Sequence, residues 1–263
     1  MTNRQVYLND DVLREILSHA DIQSVFRLYQ VNKTLYHQHD DLFKQIYRRL
    51  YGQTGMDVFK KDMTWFQLLK LCYQLSRLLL LLPSLKKYTM KALYTMTQLD
   101  LSYSKIKVLP PEIGQLSALR YLHLSNNQLS ALPPEIGKLS HLQILDLSNN
   151  QLIALPPEIG KLSTLQCLSL SNNQLSALLP EMGQMSHLHE LYLRDNQLRE
   201  LPPEIGQLSH LKYMNLSHNK LSALPPEMSP MNTLQCLNLS NNRFSLIFKN
   251  ELKRQLPYTE IVL

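Results

Sequence analysis

The sequence predicts an α/β solenoid of about seven stacked repeats, with a small all-α module in front of it. Three observations predict this. A leucine recurs every 23 residues, at Leu109, Leu132, Leu155, Leu178, Leu201 and Leu224. Each period carries the alternation x-Leu-x-Leu-x, the mark of a short strand with one face buried. Residues 8–52 show no trace of the period and hold apolar residues at helical spacing instead. A fixed repeat of this size means similar units that bury their apolar edges only against their neighbours.

Taken in chain order, the first predicted element follows Leu8, where Asn9-Asp10-Asp11 offers N-cap chemistry. Val12, Leu13, Ile16 and Leu17 then share one helical face. Asp21 is placed to cap a second helix containing Val25, Phe26, Leu28 and Tyr29. The pattern breaks at Val31-Asn32-Lys33, and a third helix runs through Leu42, Phe43, Ile46, Tyr47 and Leu50 to Gly52. Residues 1–52 therefore read as a small helical bundle. Residues 53–92 read as a helical linker and N-terminal cap, with Trp65, Leu68, Leu69, Cys72, Leu75 and Leu79 on one face.

The order of residues in the first module resembles an F-box. Leu8-Asn9-Asp10-Asp11-Val12-Leu13 is similar to the family's opening L-P-x-E-x-L, with Asn9 in the proline's place. Ile16-Leu17 matches the following I-L, Gln30-Val31-Asn32-Lys33 sits at the V-C-[KR] turn, and Leu42-Phe43 replaces L-W. The resemblance implies docking to the Skp adaptor of a cullin-type ubiquitin ligase. It places Leu8, Val12, Leu13, Ile16 and Leu17 in the adaptor's groove. Which of these are docking surface and which are internal core is left open by the sequence.

Residues 93–245 hold the repeats. Copies of L-x-x-L-x-L-x-x-N-x-L stand at Leu119, Leu122, Leu124, Asn127, Leu129 and at five later positions ending Leu234, Leu237, Leu239, Asn242, Phe244. An imperfect first copy, Met96 to Ile106, has Ser104 in the asparagine's place. The pattern resembles leucine-rich repeats of the Leu-Pro-Pro-Glu-Ile-Gly type, which implies a horseshoe with a concave sheet. The asparagine amide is expected to serve backbone groups of adjacent turns. The Pro-Pro step is expected to run extended, and Gly114, Gly137, Gly160, Gly183 and Gly206 to permit a tight turn. Over residues 246–263, Phe248, Leu252 and Leu256 fall on one face of a short capping helix. Pro257 stops it, and residues 259–263 read as a last strand.

Composition narrows the function classes. Residues 1–10 lack the apolar core of a signal peptide, and the run from Leu78 to Leu82 is too short to span a bilayer. Three cysteines without a secretory signal suit a reducing compartment, so the expected location is the cytoplasm, with the nucleus as the alternative. Cys167 and Cys236 lie three periods apart, about 14 Å, beyond disulfide reach. Residues 1–91 hold 14 Lys/Arg against 8 Asp/Glu, whereas residues 92–263 hold 13 of each. No basic run exceeds two residues, so the surplus fits an acidic protein partner better than nucleic acid. The capped end leaves no expected C-terminal catalytic domain, and no cofactor or membrane is implied.

Columns of the strand face locate a candidate site, because outward positions are free to vary between copies. The first column runs Gln98, Tyr121, Ile144, Cys167, Glu190, Tyr213, Cys236, and the second runs Asp100, His123, Asp146, Ser169, Tyr192, Asn215, Asn238. The third is serine except at Arg194. The fifth copy thus breaks the pattern, and tyrosine and arginine are frequent interface hot spots. The expected target site is Glu190, Tyr192, Arg194 and Tyr213, with Tyr121 and His123 at its edge. Asp100, His123, Asp146 and Ser169 share a column, but Asp146 separates the histidine from the serine, which does not make a catalytic triad. His187 and His210 alone make a poor metal site. The chain reads as a non-enzymatic substrate receptor of a Skp–cullin–F-box ligase. The alternative is a repeat scaffold binding a signalling partner.

Overall fold

A computed structural model describes residues 40–51, 56, 65–82, 85, 88–229, 231–245, 248, 251–252, 254 and 256–263. The chain divides into two compact units, Met1–Leu80 with Lys86–Leu93, and Leu81–Leu85 with Tyr94–Leu263. The F-box-like opening, with Leu8, Val12, Leu13, Ile16 and Leu17, lies outside the described residues.

In the first unit, α1 spans Asp40–Tyr51 and buries Ile46 and Tyr47. Arg48 and Arg49 in its last turn suit the negative end of the helix dipole. Leu50 departs from the expected apolar face and is 44% exposed, at the edge of the stripe in the final turn. Helix α2 spans Trp65–Leu81. Its buried stripe is Leu68, Leu71, Cys72, Leu75 and Leu78, so the seam passes through Leu78 and leaves Leu79 half-buried. Helix α3, Met90–Thr95, opens on Thr89, whose Oγ1 accepts the Ala92 N–H at 3.1 Å, an N-cap. No described helix is long and apolar enough to cross a membrane.

The second unit is one eight-stranded parallel sheet whose strands lie side by side in chain order. The strands are β1 Gln98–Asp100, β2 Tyr121–His123, β3 Ile144–Asp146, β4 Cys167–Ser169, β5 Glu190–Tyr192, β6 Tyr213–Asn215, β7 Cys236–Asn238 and β8 Glu260–Val262. Register pairs Leu99, Leu122, Leu145, Leu168, Leu191, Met214 and Leu237 across the sheet. All seven are buried. This single column carries the alternation expected from the sequence.

The asparagines do what their chemistry suggests. Asn173 Nδ2 donates to the Leu147 and Leu170 carbonyls at 3.0 Å, and its Oδ1 accepts the Leu152 N–H at 3.0 Å. Asn127, Asn150, Asn196, Asn219 and Asn242 repeat the arrangement. Each side chain therefore ties its own repeat to the preceding one. The residue just before each of these asparagines is left-handed, from Asn126 at φ 57° to Asn241 at φ 57°. Asn and Asp tolerate that conformation better than other side chains, which accounts for Asp195 at φ 53° in the fifth copy.

Two expectations for the return segment need correction. Only the first proline is extended, as at Pro110 with φ −71° and ψ 147°. The second proline begins a 3-10 turn, where its missing N–H costs nothing. These turns run Pro111–Gln115, Pro134–Lys138, Pro157–Lys161, Pro180–Gln184, Pro203–Gln207 and Pro226–Met228. The five glycines are not left-handed; they are needed for close approach. A Cβ on Gly114 would lie 2.7 Å from the Glu135 carbonyl oxygen of the next turn, and one on Gly183 2.5 Å from that of Glu204. The last turn has Ser229 at the equivalent place, and no further 3-10 turn follows it among the described residues.

Leu252 and Leu256 are buried, Phe248 stacks on Phe244 at 4.9 Å, and β8 pairs with β7. Thr259 Oγ1 donates to the Leu234 carbonyl at 2.8 Å.

Candidate functional site

The outward columns of the sheet form one continuous face. Glu190 and Tyr192 flank buried Leu191 on β5, and the Tyr192 hydroxyl donates to Glu190 Oε2 at 3.0 Å. Tyr213 is the register partner of Glu190 on β6 and is 42% exposed. Arg194 Nε donates to Asp195 Oδ2 at 2.8 Å. Asp195 Oδ1 lies 3.7 Å from His218 Nδ1, and Asn241 Nδ2 lies 3.0 Å from His218 Nε2. A polar chain thus runs along the left-handed column past the end of β5. Tyr121 and His123 are on β2, three strands from β5, or about 14 Å. They share the face with the other expected residues but do not touch them.

A groove of about 450 Å³ opens on this face, lined by Ile144, Gln166, Cys167, His189, Glu190, Lys212, Tyr213 and Gln235. It takes in Glu190 and Tyr213 but not Tyr192 or Arg194. His189, Lys212, Gln166 and Gln235 come from a column that strand alternation does not reveal. By a period of two, the residue before the first outward position should point inward. The chain bends there instead: the N–H groups of His189 and Glu190 both reach the Gln166 carbonyl, at 2.8 and 3.0 Å. Lys212 and Tyr213 share the His189 carbonyl in the same way. The bend brings the pre-strand column to the groove.

Comparison with protein-family models finds a leucine-rich repeat region over residues 82–191 and a leucine rich repeat over residues 186–244. The two matches show that the chain carries leucine-rich repeats. Comparison with curated protein sequences gives no match. Among solved structures, a leucine-rich repeat protein of Leptospira interrogans is 33% identical over 65% of this chain and 55% of its own, with a TM-score of 0.45. A TDR receptor is 33% identical over 57% of this chain and 27% of its own, with a TM-score of 0.53. The plant peptide hormone receptor RGFR1, in complex with RGF2, is 31% identical over 57% of this chain and 25% of its own, with a TM-score of 0.53. This chain therefore spans just over half of the first protein and about a quarter of each receptor. The leucine-rich repeat array resembles receptor-type repeat domains, a fold typical of protein-interaction scaffolds.

Within the leucine-rich repeats, three groups of this face titrate above their ordinary values. Burial, with the Glu190 carboxylate beside it, pushes the Cys167 thiol up to about 12. Burial and the hydrogen bond to Glu190 push the Tyr192 phenol up to about 12 as well. Burial also raises Cys236. A thiol held neutral is a poor nucleophile. All three cysteines are free. Asp146 Oδ1 accepts from the backbone N–H and hydroxyl of Ser148, at 3.0 and 2.7 Å, so its carboxylate serves its own turn.

His187 and His210 have a structural task. Their Nδ1 atoms reach the Ser163 and Ser186 carbonyls of the preceding repeats, at 2.8 and 2.7 Å. An imidazole nitrogen facing a carbonyl must carry the proton and donate. Thr164 and Thr233 hydroxyls make the same link in their copies. The two rings stack at 6.0 Å. Among the described residues no group of three His, Cys, Asp or Glu is arranged to hold a metal ion.

Proposed function

We propose that this chain is a substrate-recognition receptor of a Skp–cullin–F-box ubiquitin ligase, with the open face of its leucine-rich repeats holding the target protein. The observation that carries the target-binding half is where the repeats disagree. The inward apolar columns stay leucine, isoleucine or methionine as far as Phe244 in the last copy, whereas the outward columns vary, and the third, serine in every other copy, becomes Arg194 beside Glu190, Tyr192 and Tyr213. Folding alone asks for none of these four side chains. A groove opens beside two of them, and aromatic and arginine side chains suit an interface core.

The ligase half rests on the F-box resemblance of residues 1–52 and on the basic surplus of residues 1–91, which suits an acidic adaptor. The mechanism is proximity: one end anchors to the ligase while the sheet holds the target near the ubiquitin-charged enzyme. No residue of this chain needs to act as acid, base or nucleophile.

Capture of cellular proteins by the full chain, read by quantitative mass spectrometry, tests the target face. The variant Tyr192→Ala with Arg194→Ala is expected to lose the captured target at least tenfold while retaining the Skp adaptor. Unchanged target capture would place the site elsewhere on the sheet.

A further inference from the structure

The fifth and sixth repeats depart from the others at places that touch one another. The left-handed column is asparagine at Asn126, Asn149, Asn172 and Asn241, but Asp195 and His218 stand in it between them. Arg194 interrupts the serine column beside Asp195. The left-handed backbone asks for neither Asp195 nor His218, because asparagine serves it in the other repeats. Yet the three side chains meet. Arg194 Nε donates to Asp195 Oδ2 at 2.8 Å, and Asp195 Oδ1 lies 3.7 Å from His218 Nδ1. The Asn241 amide donates to His218 Nε2 at 3.0 Å, which leaves the imidazole proton on Nδ1, facing the carboxylate. The guanidinium is thus held at one nitrogen. Its two terminal nitrogens have no partner among the described residues, and the side chain is exposed.

We propose that Asp195 and His218 are positioning residues of the target face, holding Arg194 so that its terminal nitrogens meet acceptor oxygens of the bound protein. This rests on the reading of Arg194 as a target contact. A long side chain loses rotamer freedom when it binds, and a hydrogen bond that fixes the planar guanidinium beforehand lowers that cost. Asp195 supplies that bond with one carboxylate oxygen. Its other oxygen faces His218, which keeps the carboxylate turned between its two neighbours. Asn241, one repeat further on, fixes the ring. Tyr192 is held in a similar way on the same strand, its hydroxyl donating to Glu190. Neither Asp195 nor His218 has to touch the target for this role.

Two measurements on the full chain test this. In proton–nitrogen NMR spectra, the Arg194 Nε–H is expected to exchange with water about fivefold more slowly than in Asp195→Gly. Glycine takes the left-handed backbone without strain, so the variant keeps the turn. Equal exchange would mean that Arg194 is not held, and would overturn the inference. The second measurement is a double-mutant cycle. Peptides are selected from a displayed random library, and those weakened by Arg194→Ala serve as probes. Their affinity, read by fluorescence anisotropy, is expected to fall about threefold in Asp195→Gly, as for an exposed charged pair. No further loss is expected when Asp195→Gly is added to Arg194→Ala. His218→Asn, which restores the asparagine of the other repeats, is expected to act in the same direction and to add nothing to Asp195→Gly. An equal loss in both backgrounds would show that Asp195 acts apart from Arg194, which would overturn the positioning role. A library with no peptide that responds to Arg194→Ala would overturn instead the reading of Arg194 as a target contact.

Discussion

Each buried asparagine meets several backbone groups that its own repeat and the one before it leave without partners. Asn173 serves the Leu147, Leu170 and Ser171 carbonyls and the Leu152 N–H. Alanine there strands buried polar groups, and Asn173→Ala is expected to cost about 3 kcal/mol in urea unfolding. The adjacent Asn172 keeps only a left-handed backbone. Cys167 offers a second test at this scale. With its thiol near 12 against an ordinary 9.0, its thiolate at pH 8 is roughly a thousandfold scarcer than that of a free cysteine. Alkylation by iodoacetamide, followed by mass spectrometry, should be correspondingly slow, and Glu190→Gln should speed it. Because the folded thiol titrates higher than the unfolded one, its stabilisation is present below about pH 9 and is lost as pH rises toward 12.

The strand, the asparagine turn and the closing strand were each legible in the sequence, because each is signalled by residue types only a few positions apart. Leucines two apart define the buried column, and Glu260–Val262 forms the final strand that residues 259–263 suggested. What could not be read depended on contacts between repeats. The glycines looked like turn residues, yet their role is to admit the carbonyl of the next turn, which lies 21 residues away in sequence. Likewise, His189 and Lys212 were hidden because two successive N–H groups share one carbonyl and bend the chain. The stacking reading has its own test. Gly183→Ala, placed 2.5 Å from the Glu204 oxygen, is expected to cost about 1–3 kcal/mol by overpacking. An unchanged urea midpoint would mean that the turns slide apart without penalty.

At the scale of the molecule, the proposed receptor would join an anchoring module to a recognition surface, and the two halves of the chain differ in charge. Residues 92–263 balance their charges, whereas residues 1–91 carry the whole surplus of six. An overall basic chain therefore does not imply a basic sheet. The ligase assignment depends on the first module. Calorimetric titration of the Skp adaptor into the full chain tests it most directly, with Leu13→Asp, Leu17→Asp as the comparison. Dissociation constants at or below the micromolar range, with binding abolished in the double variant, are the expected outcome. No heat of binding from a full chain with an intact circular dichroism spectrum would contradict the receptor role and leave a leucine-rich repeat scaffold.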